Sequence, residues 1–257
     1  MVYTLFILMF LIISIFISDI IVSCINKSKD STSSIPKVIY QTYKNKDLIP
    51  QKVYDNIKKY APEYKHVIYD DNECLNFIKE NFGDELVDLF NKYAGYHKAD
   101  IFRYLILYKN GGIYLDIKIE LTKPLKDIFN DNNITYTILS MHSSSCMQGV
   151  IATPKNNPLF MRLIDLMKNS FTEAQKNGNI FTYQIYDEIK KDIKKDTVNP
   201  GHNKNLVNNF DYYLFQEKCS RNSEDCYDGL DRHGYCCFVT DNNENIIKTR
   251  YSDFPWE

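Results

Sequence analysis

Between Tyr96 and Glu120 the chain reads YHKADIFRYLILYKNGGIYLDIKIE, with charged residues at spacings that let them act together. Asp100 and Arg103 are three apart, which on a helix puts them on one face. Asp116, Lys118 and Glu120 recur at every second residue, which on a strand turns all three to one side, neighbours about 6.6 Å apart. Such a set suits the two ends of a metal-diphosphate group. Arginine offers phosphate a rigid, always charged fork of donors, and carboxylate oxygens suit a hard cation. Blander alternatives are a surface Asp–Arg pair worth under about 1 kcal/mol and an amphipathic edge strand with a solvated charged face.

The elements that must position these groups follow from the pattern. Ile101, Phe102, Leu105 and Leu107 predict a helix over Lys98–Lys109, stopped by Asn110-Gly111-Gly112 because glycine takes the left-handed cap without steric cost. Ile113, Leu115, Ile117 and Ile119 alternate with Tyr114, Asp116, Lys118 and Glu120 and predict one strand. Upstream, IPKVIYQTY (Ile35–Tyr43) reads as a first strand, Pro50–Tyr60 as a helix and Lys65–Tyr69 as a second strand. A helix capped by Asp70 or Asp71 and ended by Gly83 comes next, then another over Glu85–Tyr93. Downstream, strands are expected over Thr135–Met141, Phe210–Phe215 and Tyr235–Thr240, and helices over Pro158–Ser170 and Phe181–Asp192. Alternation of this kind predicts an α/β sandwich with a mostly parallel central sheet.

The run KADIFRYLILYKNGGIYLD, together with the opening IPKVIYQTY, resembles glycosyltransferase family 32, the DXD sugar-binding group that includes fungal initiating mannosyltransferases. The resemblance implies a GT-A type nucleotide-sugar fold. It also implies hexosyl transfer with retention from a UDP- or GDP-sugar to a glycan or glycoconjugate. Where the family has His-Gln-x-Trp this chain has Tyr40, Gln41, Thr42 and Tyr43, so Gln41 and Tyr43 fall at the nucleotide, with Tyr43 against the base. Asp100 and Arg103 fall where the family contacts donor sugar and phosphate, and Asp116 matches the first aspartate of D-x-D.

The second aspartate is replaced by Lys118, and an ammonium cannot ligate a metal. This puts the usual Mn2+ or Mg2+ in doubt. Either Asp116 holds a cation with Glu120 or the C-terminal Asp253, or Lys118 itself neutralises the diphosphate. The rival readings are a degenerate nucleotide-sugar-binding protein and a membrane-tethered interaction protein. Among other tempting residues, His142 beside Ser143–Ser145 and Cys146 lacks any nucleophile-elbow spacing and reads as a polar loop.

From Val2 to Ser18 the chain is almost unbroken apolar sequence, and Ile20–Ile25 extend it to the roughly 20 residues that cross a bilayer. It lacks a basic n-region and a small-residue cleavage site, which favours a single-pass anchor over residues 1–25 against a cleaved signal. A polar stem over 26–34 and a catalytic domain over 35–257 complete the expected organisation, in an endomembrane or virion membrane. A net charge of -2 leaves no basic excess for a nucleic-acid backbone. Four of the seven cysteines (Cys219, Cys226, Cys236, Cys237) cluster near the C-terminus in no common zinc spacing, which points to one or two disulfides.

Overall fold

The computed structural model describes residues 34–129, 133–222, 226, 230 and 234–249. The apolar run after Pro36 forms β1 (Val38–Thr42), followed by α1 (Gln51–Tyr60) behind Pro50 and by β2 (Lys65–Tyr69). Asp70 caps α2 (Asp71–Phe82) reciprocally: its carboxylate accepts the Glu73 N–H while the Glu73 side chain accepts the Asp70 N–H. Then come α3 (Asp84–Lys92), α4 (Tyr96–Asn110) and, after Gly111 at φ 65°, β3 (Gly112–Leu115). The second half contains β4 (Glu120–Leu121), β5 (Ile134–Leu139), β6 (Cys146–Thr153), α5 (Pro158–Asn169), α6 (Phe171–Lys176) and α7 (Ile180–Ile193). It ends with β7 (Gly201–Asn203), β8 (Asp211–Ser220), β9 (Cys236–Asp241) and β10 (Glu244–Thr249).

The strands make one 10-stranded sheet in the order β2-β1-β3-β6-β5-β8-β9-β10-β4, with β7 added against β8. β1 runs parallel to β2 and β3, and β5 to β8, while the other pairings are antiparallel. The sheet is therefore mixed, and the mostly parallel sheet expected from sequence does not form. Helix–strand alternation persists only as far as β3. Beyond it, β4–β6 and β7–β10 follow one another without a crossover helix, and short connections join the antiparallel neighbours β5–β6 and β9–β10. The β9–β10 turn does so with Asn242 and Asn243, both at positive φ, which matches strand twist.

Period-two alternation divides the core between the two sheet faces. Tyr40, Tyr114 and Ile151 pack with α2–α5 and α7 on one face, while Ile39, Ile113, Leu115 and Val150 pack with Ile57 of α1 and Phe215 on the other. Because β3 is covered on both faces, its alternation does not separate buried from solvated residues. The strand expected over Ile113–Glu120 stops at Leu115: the Asp116 carbonyl accepts the Ile119 N–H at 3.0 Å, turning the chain toward β4 on the far edge. Asp116, Lys118 and Glu120 consequently do not share a strand face.

Cys219–Cys237 and Cys226–Cys236 are disulfides, as the cysteine cluster suggested. Among the described residues no helix is long and apolar enough to cross a membrane. The anchor expected over 1–25 lies outside the described residues.

Candidate active site

α4 is buried around nearly its whole circumference, and Asp100 and Arg103 are buried with it, at 7% and 5% exposure. They are not the solvated surface pair that their spacing also allowed. Arg103 Nη1 meets Asp100 Oδ1 at 2.9 Å, and its Nη2 meets Asp116 Oδ1, also at 2.9 Å. One guanidinium thus joins α4 to the turn after β3. It lies over the Tyr114 ring at 4.7 Å, and the Tyr114 hydroxyl is hydrogen-bonded with that of Thr42 at 2.9 Å. Burial alone would lower the pKa of Arg103, but the neighbouring Asp116 and Asp100 outweigh it and hold the guanidinium above its ordinary value. Asp100 Oδ2 also contacts His97 Nδ1 at 3.1 Å.

The backbone fixes Asp116 as firmly as its side chain does. Its N–H donates to the Gly149 carbonyl at 2.7 Å, and its own carbonyl accepts from Gln41 Nε2 at 3.3 Å. Gln41 Oε1 in turn accepts from His66 Nε2 at 2.7 Å, so the imidazole carries its proton there. Gln41, expected at the nucleotide, is wholly buried and braces the Asp116 turn from behind. Tyr43 is half-buried just beyond β1, its N–H bonded to the Tyr69 carbonyl at 3.1 Å.

A cavity of about 400 Å³ opens over this centre and is lined by Asp100, Arg103, Asp116 and Lys118 together. Lys118 is half-buried and forms no ion pair among the described residues. Gln41, Tyr43 and Glu120 are not among the lining residues. The lining also holds residues that sequence reasoning passed over: Tyr96, His142, Gln148, Gly149, Tyr183 and Thr249. The one legible signal among them was Gly149, a glycine inside an apolar strand, which marks a close approach. His142, which reads from sequence as part of a polar loop, is brought to the cavity by the β5–β6 turn.

The described residues around the cavity do not by themselves offer a divalent cation a set of ligands. Asp100 and Asp116 share Arg103, and the next charged group is the Lys118 ammonium. Glu120, expected as a ligand, sits on β4 with Lys248 as its register partner, and its Oε2 is buried without a hydrogen-bond partner, away from the cavity lining. Asp253 lies outside the described residues. Among the described residues the one set of three or more His, Cys, Asp or Glu ligand atoms closing within 4.8 Å is Glu217, Cys219 and Cys237, and those two sulfurs are bonded to each other.

Residues 49–135 match the family described as a glycosyltransferase sugar-binding region containing DXD motif. The chain is 30% identical over 208 residues to an uncharacterized glycosyltransferase of Acanthamoeba polyphaga mimivirus, covering 75% of this chain and 80% of that one. The chain belongs to the DXD glycosyltransferase family. The transferase is also 38% identical over 106 residues to the initiation-specific alpha-1,6-mannosyltransferase of Schizosaccharomyces pombe, covering 38% of this chain and 26% of that one. With inositol phosphoceramide mannosyltransferase 3 of the same yeast it shares 27% identity over 138 residues, 52% of this chain and 38% of that one. The transferase thus spans well under half the length of these fungal relatives. A solved structure, PaToxG glycosyltransferase, aligns with a TM-score of 0.49 at 19% identity over 67% of this chain and 77% of that one.

Proposed function

We propose that this glycosyltransferase moves a hexose from a UDP- or GDP-sugar to a glycan or glycoconjugate, with a GT-A type arrangement and retention at the anomeric carbon. The observation that carries the reading is the Asp100–Arg103–Asp116 bridge at the cavity, beside Lys118, which forms no ion pair among the described residues. Tyr43 and Asp116 directly follow the carboxyl ends of the parallel neighbours β1 and β3, which is where open α/β sheets receive nucleotides. Tyr43 stacks on the base there. Mannosyl transfer, named in the fungal relatives, is the first donor chemistry to try.

Breaking the glycosyl–phosphate bond sends its electron pair to the diphosphate, so the site's main task is preorganised positive charge at the leaving group. Lys118 supplies it directly, and Arg103 supplies it while holding the two carboxylates. Asp100 and Asp116 accept hydrogen bonds from sugar hydroxyls. The acceptor oxygen bonds to the anomeric carbon on the face the diphosphate leaves, and its proton passes to a departing phosphate oxygen, which needs no side-chain nucleophile. Because the described residues do not by themselves offer Mn2+ or Mg2+ a set of ligands, no step runs through a metal. The apolar residues 1–25 anchor the domain to an endomembrane or virion membrane.

The test is release of nucleoside diphosphate by the detergent-solubilised full chain, across UDP- and GDP-sugars with Mn2+, Mg2+ or chelator. Turnover of one donor that is lost in Asp116→Asn supports the transferase site. Binding without turnover under every condition, acceptors included, favours the degenerate sugar-nucleotide binder, for which the replaced second aspartate is the specific argument.

A further inference from the structure

Large side chains exposed singly are ordinary, but ones gathered at a single groove mark a ligand site; among the described residues the exposed ones are Leu48, Tyr96, Met141, Tyr183, Leu206 and Val207. Tyr96 and Tyr183, at 63% and 38% exposure, both line the cavity of the transferase site, and Met141 lies between two lining residues, Ser140 and His142. The tyrosines come from separate elements, the first turn of α4 and the first turn of α7. Tyr96 is held by a close fit: a Cβ placed on Gly178 would lie 2.2 Å from its hydroxyl oxygen.

The polar tips around them are unspent. Asn179 is the N-cap residue of α7, yet its side chain makes no capping bond. No partner among the described residues meets the Asn179 side-chain amide, the His142 ring or the Tyr183 hydroxyl, whereas Asp100 and Asp116 on the donor side each pair with Arg103. Open aromatic faces next to unpaired amide, imidazole and phenol groups suit a ligand with apolar C–H faces and a rim of hydroxyls. Among the described residues the lining offers one cation without an ion pair, Lys118, which the donor diphosphate uses, so these residues give a second anionic group no partner.

We infer that Tyr96 and Tyr183 form the acceptor subsite, and that the acceptor is a neutral glycan whose pyranose ring packs on these tyrosines while Asn179 and His142 bond its hydroxyls. This rests on the transferase reading and narrows its acceptor to carbohydrate recognised as such, in preference to a phospholipid headgroup.

Saturation-transfer NMR on the full chain with UDP or GDP present tests it. The probes are α-mannobiose, cellobiose and lactose, with phosphatidylinositol micelles as the lipid arm and GDP-mannose and UDP-glucose as donors. At least one disaccharide is expected to receive saturation on its ring C–H protons. Tyr183→Ala and Tyr96→Ala each weaken its Kd roughly tenfold, about 1.4 kcal/mol, while Tyr183→Phe retains the stacking and stays within about twofold, a shift under about 0.5 kcal/mol. Both residues are exposed, and circular dichroism checks that the variants fold. Donor signal without signal from any disaccharide, disaccharide signal indifferent to both alanines, or signal from the lipid arm alone overturns the inference. Absence of any donor signal instead sinks the transferase reading beneath it.

Discussion

Oδ2 of Asp116 lies 2.8 Å from where a Cβ on Gly149 would sit, so the carboxylate occupies space that only a glycine leaves open. Gly149 is not at positive φ, and its backbone conformation tolerates any residue. The constraint is volume alone. Gly149→Ala is expected to push Asp116 off Arg103, cutting kcat/KM about 100-fold, as an ångström-scale misplacement does. The overpacking should cost about 1–3 kcal/mol of stability. Steady-state kinetics beside thermal melts check this, and an alanine variant with unchanged kcat/KM would show that the Asp116 position does not matter.

Arg103→Lys separates charge from geometry. A lysine keeps the charge but cannot reach Asp100 and Asp116 with two arms. Breaking a buried pair costs about 3–5 kcal/mol, and the lysine leaves at least one carboxylate uncompensated. The expected result is a melting temperature several degrees lower together with donor turnover below about 1% of wild type, the roughly 100-fold loss of an electrostatic contact to a leaving group. A variant that melts lower but turns over normally would make the bridge structural only.

The sequence made the Asp100–Arg103–Asp116 set legible because helix spacing and the glycine stop after Asn110 fixed where α4 ends and where Asp116 begins. It did not make the Asp116–Ile119 turn legible. Ile113, Leu115, Ile117 and Ile119 alternate as a strand would, yet the run of isoleucines serves a turn whose Ile119 packs in the core under β4. Pairing across the sheet overrode local pattern there, as it did for the parallel sheet, since β4 joins β10 from more than a hundred residues away. The acceptor-side tyrosines were illegible for another reason: Tyr96 and Tyr183 meet the same cavity only because α4 and α7 pack on one face of the sheet.

On the proposed mechanism Lys118 neutralises the leaving diphosphate. Lys118→Ala is expected to lower kcat/KM about 100-fold, the scale of one lost electrostatic contact to a developing charge, with chelator making no difference to wild type. Lys118→Asp recreates D-x-D, and there Mn2+ should restore part of the activity and EDTA remove it. Isothermal titration of Mn2+ gives a readout apart from turnover. Mn2+ binding at this site in the wild type would refute the assignment.

His66 couples this turn to pH. Burial lowers its pKa, so the folded chain favours neutral imidazole, which donates from Nε2 to Gln41. A histidine depressed in this way contributes stability that is complete above its unfolded value of about 6.5 and is lost as pH falls through the folded pKa. Urea midpoints from neutral to acid pH should therefore fall more steeply for wild type than for His66→Gln, which keeps a donor and does not titrate. Parallel curves would contradict the assignment.

Glu217 ties the two late additions to the cavity wall together. It is buried on β8 and accepts from Ser140 Oγ and the Met141 N–H at 3.2 Å each, and from Thr249 Oγ1 at 3.3 Å. Ser140 begins the turn that carries His142, and Thr249 ends β10; all three line the cavity. Glu217 does not line it, so its effect is one of positioning. Removing the carboxylate frees the turn and the end of β10 independently, which should raise the acceptor KM about tenfold, the equivalent of about 1.4 kcal/mol, and leave the donor KM nearly fixed. Glu217→Gln, whose amide oxygen still accepts, should recover most of the loss, whereas Glu217→Ala should not. Equal effects on donor and acceptor KM in the alanine variant would instead mark a general loss of folding.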